Sequence, residues 1–197
     1  MAVGSPERVA AHHAPVIFLG PAGAGKGTQA ARLAERLRVP RISTGDMLRA
    51  ALAEGNALGR AAEPYLERGD LVPDHLLITM IRERIAEADC APGYVLDGFP
   101  RTLPQAEALE QMLGDEARLA VVLNLEVPRE ELMRRLSGRG RDDDRGNAVE
   151  HRLQDYEDRT RPLVDFYTKR ERLHRVDGFR PVDVVSNDLQ RIVESRP

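Results

Sequence analysis

"VIFLGPAGAGKGT", Val16 to Thr28, joins an apolar run to a glycine-rich loop that carries a lysine. Val16 to Gly20 reads as a buried strand, because a short apolar run closed by glycine suits the interior of a sheet. Gly20 to Thr28 then follows G-x-x-x-x-G-K-[ST] with one departure: Gly27 stands in the usual Ser/Thr place and Thr28 comes one residue later. Glycines let successive backbone N–H groups converge on a phosphate, and the start of the next helix adds positive potential. Lys26 has the length to reach outer phosphates, and the Thr28 hydroxyl suits phosphate or metal. Gly23, Ala24, Gly25, Lys26, Gly27 and Thr28 are therefore candidate triphosphate-binding residues. The competing reading is a plain strand–helix turn with an incidental lysine.

Outward from this loop the pattern alternates. Ala30, Leu33, Ala34 and Leu37 recur at helical spacing over Thr28 to Leu37. Further strands are expected at Arg41–Ser43, Tyr94–Asp97, Leu119–Leu125 and 173–176. Helices are expected near 45–54, 59–68, 74–88, 102–113, 128–137, 148–171 and 182–195, with Gly55, Gly69 and Pro73 as punctuation. Strands alternating with helices imply an α/β fold with a central parallel sheet covered on both faces. Residues 1–14 read as a flexible tail and 15–197 as one domain, with insertions at about 43–72 and about 138–147.

Bulk properties narrow the partners. A formal net charge of -3 argues against nucleic acid as a general ligand, since no global positive field attracts a polyanion. Lys26 and Lys169 are the only lysines, so local positive charge is carried by arginine. The one cysteine, Cys90, can form neither an internal disulfide nor a multi-thiolate zinc site, and a reducing cytoplasm fits best. No apolar run approaches the roughly 18 residues of a membrane span, and the first 14 residues lack the apolar centre of a signal peptide. His12 and His13, adjacent on the tail, are not read as metal ligands.

Asp97 ends the strand "YVLD". A carboxylate at the carboxyl edge of a neighbouring strand is where such sheets hold Mg²⁺, directly or through water, and Mg²⁺ keeps enough waters that one carboxylate suffices. The alternative is that Asp97 caps the turn at Gly98.

Three stretches in order, "GPAGAGKGTQA", "ISTGDMLR" (Ile42 to Arg49) and "LDGFPRTLPQ" (Leu96 to Gln105), resemble the adenylate kinase family, and the match runs from about Val16 through the last helix. The resemblance implies a P-loop kinase core, a helical NMP-binding insertion and a short lid. It implies a reversible reaction in which Mg·ATP and AMP give two ADP, and a monomer. Thr44 and Arg49 fall on the family's AMP-site threonine and arginine. Asp70, Leu71 and Val72 should line the same pocket with Gly98, Phe99, Pro100 and Arg101, and Gln105 is expected at the adenine edge. Arg101 would grip the AMP phosphate beside Arg49, where fork-like guanidinium geometry suits paired oxygens. Taken singly, these residues have plainer readings: Asp46 in a helix-start turn capped by Ser43 or Thr44, Arg49 on a helix surface, Gln105 as polar filler.

The charged run "GRGRDDDRGN", residues 138–147, occupies the lid position, and the family's short-lid form is what it resembles. Arg135 corresponds to an arginine packed over the ATP base, Arg139 to one on the ATP phosphates, and Arg180 is likewise assigned to the ATP site. Arg141 and Arg152 match arginines that close on the transferring group, and Lys26, Arg101 and Arg139 complete that catalytic set. Asp143 and Asp144 fall on a pair of lid-closing aspartates. Arg145 stands where an asparagine is frequent and reads as a solvated charge, while Ala22 replaces a frequent proline. The lid carries no cysteine set, so no structural zinc is expected. Rival readings are a UMP/CMP kinase, a nucleotide-dependent switch, and a small-molecule kinase. Thr44 and Thr102 favour AMP, "TKRE" (Thr168 to Glu171) is a poor base motif for a switch, and a small-molecule kinase would not carry both long motifs.

Overall fold

A computed structural model describes residues 13–68, 70–138 and 148–195. Its centre is a five-stranded sheet in the order β2-β3-β1-β4-β5, formed by β1 Val16–Leu19, β2 Arg41–Ser43, β3 Val95–Asp97, β4 Val121–Glu126 and β5 Leu173–Asp177. Every pairing is parallel. The register sets Phe18 beside Asp97 and Leu19 beside Asn124, so the exit of β1 has a carboxylate on one side and an amide on the other.

The two-residue period of a strand divides the core. Ile17, Leu19, Leu96 and Val122 face one layer, packed by α2 Thr44–Ala53, α3 Ala57–Arg68, α4 Asp74–Ile85, α5 Leu103–Leu113 and α8 Pro162–Thr168. Val16, Phe18, Val95, Leu123 and Leu125 face the other, covered by α1 Lys26–Leu37, α6 Arg129–Ser137, α7 Ala148–Asp155 and α9 Val182–Glu194. Each fully buried leucine or valine here contributes about 1.5–3 kcal/mol of transfer free energy. The inner strands β1, β3 and β4 are buried on both faces, which is why they read as nearly continuous apolar runs, whereas the edge strands β2 and β5 carry polar residues. Among the described residues no helix is long and apolar enough to cross a membrane.

The expected elements differ from the observed ones mostly at their ends. Helix α1 starts at Lys26, two residues before Thr28, because Gly25 takes a left-handed conformation (φ 97°) and opens the helix directly. The stretch 74–88 stops at Ile85 and resumes as a single turn at Ala88–Cys90. Strand β4 begins at Val121 because Gly114–Arg118 forms a 3₁₀ turn after α5. The long helix expected over 148–171 is divided by a π segment, Tyr156–Thr160. Pro162 lacks an N–H and its ring crowds the carbonyl four residues back, so the preceding turn widens and Arg161 N–H bonds the Tyr156 carbonyl at 2.8 Å. His13, within the expected tail, donates its N–H to the Pro92 carbonyl at 2.8 Å, in the turn that precedes β3. Residues 1–12, including His12, lie outside the described residues, as do Gly69, within the insertion expected at about 43–72, and 139–147, which make up most of the expected lid.

Candidate active site

The glycine loop leaves β1 at Gly20, whose φ of 135° and whose packing both exclude a side chain: an added Cβ would stand 2.7 Å from the Leu125 carbonyl oxygen. The loop then curls over Lys26, whose ammonium donates to the carbonyls of Gly20 at 2.6 Å and Pro21 at 2.7 Å. These are neutral acceptors. An anionic phosphate in the same curl forms stronger, charge-assisted bonds and can draw the ammonium toward itself. Arg135 closes the far side: its Nη2 donates to the Gly178 carbonyl at 3.2 Å, and Glu131 accepts from its Nε at 2.6 Å. Hydrogen bonds from Arg134 and Arg135 hold the Glu131 carboxyl down at about 2. Arg180, in the β5–α9 connection, pairs with Asp188 and lies 3.6 Å from Asp177.

On the other side of the sheet, α2 begins where Ser43 Oγ accepts the Asp46 N–H at 3.3 Å. The cap is thus Ser43, and Thr44 is released for another contact. Its hydroxyl, in a residue only 2% exposed, donates to the Gly98 carbonyl at 3.0 Å. The same carbonyl accepts Arg101 Nε at 2.9 Å. Gly98 has a φ of 89°, and a Cβ there would lie 2.7 Å from Thr44 Oγ1 and 3.1 Å from Arg101 Nη2. Only glycine lets these two side chains meet on one carbonyl. Thr160, on the π segment, donates to the Arg101 carbonyl at 2.9 Å and fixes that backbone from the third side.

Asp46 carries more than its backbone cap. Its carboxylate pairs with Arg49 and, at 2.5 Å, with Arg41 Nη2. Burial by itself would raise its pKa, but hydrogen bonds from Arg49 and Ser43, with the charges of Arg41 and Arg49, leave it below the ordinary value. Arg41 Nη2 also lies 3.3 Å from Asp97 Oδ2. Asp97 is 8% exposed, and a Cβ built on Gly27 would be 3.4 Å from its Oδ2, so the carboxylate stands over the first turn of α1. A hard oxygen donor beside a phosphate loop and Thr28 fits Mg²⁺, which takes one or two carboxylates and completes its shell with water and phosphate. No group of three or more potential metal-ligating side chains occurs among the described residues.

These parts line one open cleft of about 1240 Å³. That exceeds the roughly 300–1000 Å³ of a single small-molecule pocket and leaves room for two nucleotides. Gly23 to Thr28, Arg135 and Arg180 line one end, and Thr44, Arg49, Asp70, Leu71 and Val72 the other. Lys26, Gly98, Arg101 and Arg152 line the junction, where a narrower recess adds Pro100, Asp155, Tyr156 and Thr160. Two expected residues do not line the cleft. The Phe99 side chain is fully buried in the core, so only its backbone is near the site. Gln105 is also fully buried, and its amide is engaged at both ends. Its Oε1 accepts the Arg101 N–H at 2.8 Å and its Nε2 donates to Asp74 at 2.7 Å. Arg139, Arg141, Asp143, Asp144 and Arg145 lie outside the described residues. Arg41, Glu131 and Thr160 were not picked out by sequence reasoning. The charge of Arg41 inside a three-residue strand was the one available signal; Thr160 carried none, since the widened turn that aims it is not visible as a motif.

Residues 18–172 match the sequence model of the family described as adenylate kinase. The adenylate kinase of Thermobifida fusca is 47% identical over 186 residues, covering 92% of this chain and 98% of the relative. That of Leptospira biflexa is 46% identical over 183 residues, covering 90% and 98%. A more distant relative, the adenylate kinase of Archaeoglobus fulgidus, is 40% identical over 211 residues, covering 91% and 97%. With residues 18–172 matching that family and relatives 40–47% identical across at least 90% of its length, the chain belongs to the adenylate kinase family of phosphotransferases.

Proposed function

We propose that this chain transfers a phosphoryl group reversibly from Mg·ATP to AMP, giving two ADP. The observation that carries the reading is one cleft that holds the glycine loop with Lys26 and the residues at the start of α2, with Arg101 and Arg152 in the same lining. Two nucleotides laid end to end bring their phosphates to these cations.

In phosphoryl transfer the charge spreads over the equatorial oxygens of the moving group, so positioning and cationic compensation do most of the catalysis. The loop Gly23–Thr28 with Lys26 holds the donor phosphates, and Arg135 and Arg180 frame the donor base and its approach. Arg49 and Arg101 hold the acceptor phosphate, and Thr44, aligned by Gly98, faces the acceptor base. No general base is needed, because the acceptor phosphate is already an anion. Gln105 keeps the Arg101 backbone and Asp74 in register, and reaches an adenine edge only when one of those bonds opens. Asp97 with Thr28 would hold Mg²⁺, which when bound neutralises developing phosphate charge. Arg139 and Arg141 of the lid, with Arg152 on α7, complete the clamp, while Asp143 and Asp144 fasten the lid shut. Closure of the lid, about 138–147, over the insertion, about 43–72, excludes water that would otherwise hydrolyse ATP. Action as a monomer is what likeness to the family's short-lid form suggests, and the lone buried thiol supports a cytoplasmic setting.

The test is a coupled assay of ADP formation from Mg·ATP with AMP, UMP, CMP and GMP offered separately. Activity with AMP alone is expected. Activity mainly with UMP or CMP would overturn the assignment of the Thr44 pocket. Silence with all four, from folded protein that still binds ATP, would overturn the reaction itself.

A further inference from the structure

Arg41 belongs to neither nucleotide pocket as assigned above, yet it touches the machinery of both. It is the first residue of β2, and its side chain runs along the sheet edge toward the end of β3, where Ser43 pairs with Asp97. One nitrogen, Nη2, lies 2.5 Å from Asp46 Oδ2 and 3.3 Å from Asp97 Oδ2. The other oxygen of Asp46, Oδ1, accepts from Arg49 Nη2. The four groups form an alternating series, Asp97, Arg41, Asp46, Arg49, that runs from the carboxylate suited to Mg²⁺ to the guanidinium assigned above to the acceptor phosphate. Arg41 Nε is buried with no hydrogen-bond partner among the described residues, so the ionic contacts of the head are made at its Nη2 tip. A single nitrogen shared between two carboxylates is a divided contact, and a change at either end redistributes it.

Resting on the proposed reaction, we propose that Arg41 is a positioning residue that couples divalent-cation binding at Asp97 to acceptor-phosphate binding at Arg49. A cation on Asp97 displaces the Arg41 tip toward Asp46. Asp46, now fully paired with Arg41, loosens its hold on Arg49, whose guanidinium turns to the acceptor phosphate. In the reverse direction, a phosphate that takes Arg49 leaves Asp46 to draw Arg41 in, and Asp97 is freed for the cation. Binding linkage makes the two effects equal.

The experiment reads metal binding directly, apart from turnover. Mn²⁺ is titrated by electron paramagnetic resonance onto the full chain loaded with the β,γ-imido analogue of ATP, with and without AMP. In the unaltered chain AMP is expected to tighten Mn²⁺ binding about fivefold or more, the lower end of ordinary coupling. Arg41→Gln should bind Mn²⁺ more tightly without AMP, because the competing cation is gone, and its AMP effect should shrink below roughly twofold. Arg41→Lys keeps the charge but lacks the planar fork, so its Mn²⁺ affinity without AMP stays near that of the unaltered chain while the coupling falls. Thermal melts and analogue binding establish that each variant is folded. Wild-type coupling in Arg41→Gln, or no coupling in the unaltered chain, would overturn the relay. An Asp97→Asn variant that binds Mn²⁺ as well as the unaltered chain would overturn both the metal placement and the relay. Coupling that follows Arg41 in a chain that makes no ADP would sustain the relay and overturn only the reaction.

Discussion

Gly98→Ala is the change that tests the acceptor pocket most directly. At φ 89° an alanine pays the left-handed cost of about 1–2 kcal/mol. Its Cβ would also stand 2.7 Å from Thr44 Oγ1, and the hydroxyl must yield because the alternative is backbone movement at the end of β3. Thr44 is 2% exposed, so a hydroxyl that loses the Gly98 carbonyl is left buried and unpaired, at roughly 1–3 kcal/mol. The sum, about 2–5 kcal/mol, corresponds to a fall in Tm of roughly 4–20 °C for a chain of this size. Arg101 Nη2, 3.1 Å from the new Cβ, is pushed off its seat as well. Loss of one charge-assisted phosphate contact, about 1.5–3 kcal/mol, lowers kcat/KM for AMP roughly 10- to 150-fold. Donor binding, measured by calorimetry with the ATP analogue, should be unchanged, since the phosphate loop is untouched. Melting by circular dichroism and initial rates with varied AMP read the two effects separately. A lowered Tm with intact AMP kinetics would show that the Gly98 turn supports the fold and not the pocket. No change in either would refute the shared-carbonyl geometry.

Arg101→Ala should raise the AMP KM and lower kcat, with kcat/KM down roughly 10- to 150-fold; wild-type kinetics would remove Arg101 from the acceptor site. Glu131, held at about 2 against an ordinary 4.5 by Arg134 and Arg135, stabilises the fold fully above pH 4.5, and that contribution is lost as pH falls from there through about 2. Urea midpoints of the unaltered chain and Glu131→Gln should therefore be separated at neutral pH and converge near pH 2; parallel pH profiles would exclude Glu131 as the source. Burial pushes the Cys90 thiol up to about 11, against a smaller opposing effect of Arg84. A chromogenic disulfide at pH 8 should react slowly with the folded chain and rapidly in urea, and rapid reaction without urea would contradict the buried placement.

Much of this protein was legible as sequence. The phosphate loop was readable because its chemistry is local: a strand exit, glycines that open the backbone and a lysine at a fixed offset need no distant partner. The same holds for the alternation of strands and helices, since a sheet covered on both faces leaves continuous apolar runs, and for the order of the two long motifs. Boundaries were less legible. Gly25 as a helix opener and Pro162 as the cause of a π turn act through φ and missing donors, which shift an element end without changing the apolar pattern.

What only tertiary structure decided are the meetings between distant residues. Ser43 and Thr44 were both candidate caps; strand β3 at the side of β2 supplies the Gly98 carbonyl that takes the Thr44 hydroxyl and leaves the cap to Ser43. Gln105 reads in sequence either as a base-contacting residue or as polar filler. The nearness of α4 settles where its amide rests, on Asp74 and the Arg101 N–H. Arg41 had no motif at all. Its place between Asp46 and Asp97 comes from the parallel register of β2 with β3, and register is set by packing across the sheet. A chain read one residue after another carries its local chemistry openly, but a side chain with two competing partners is defined only when the fold sets both distances.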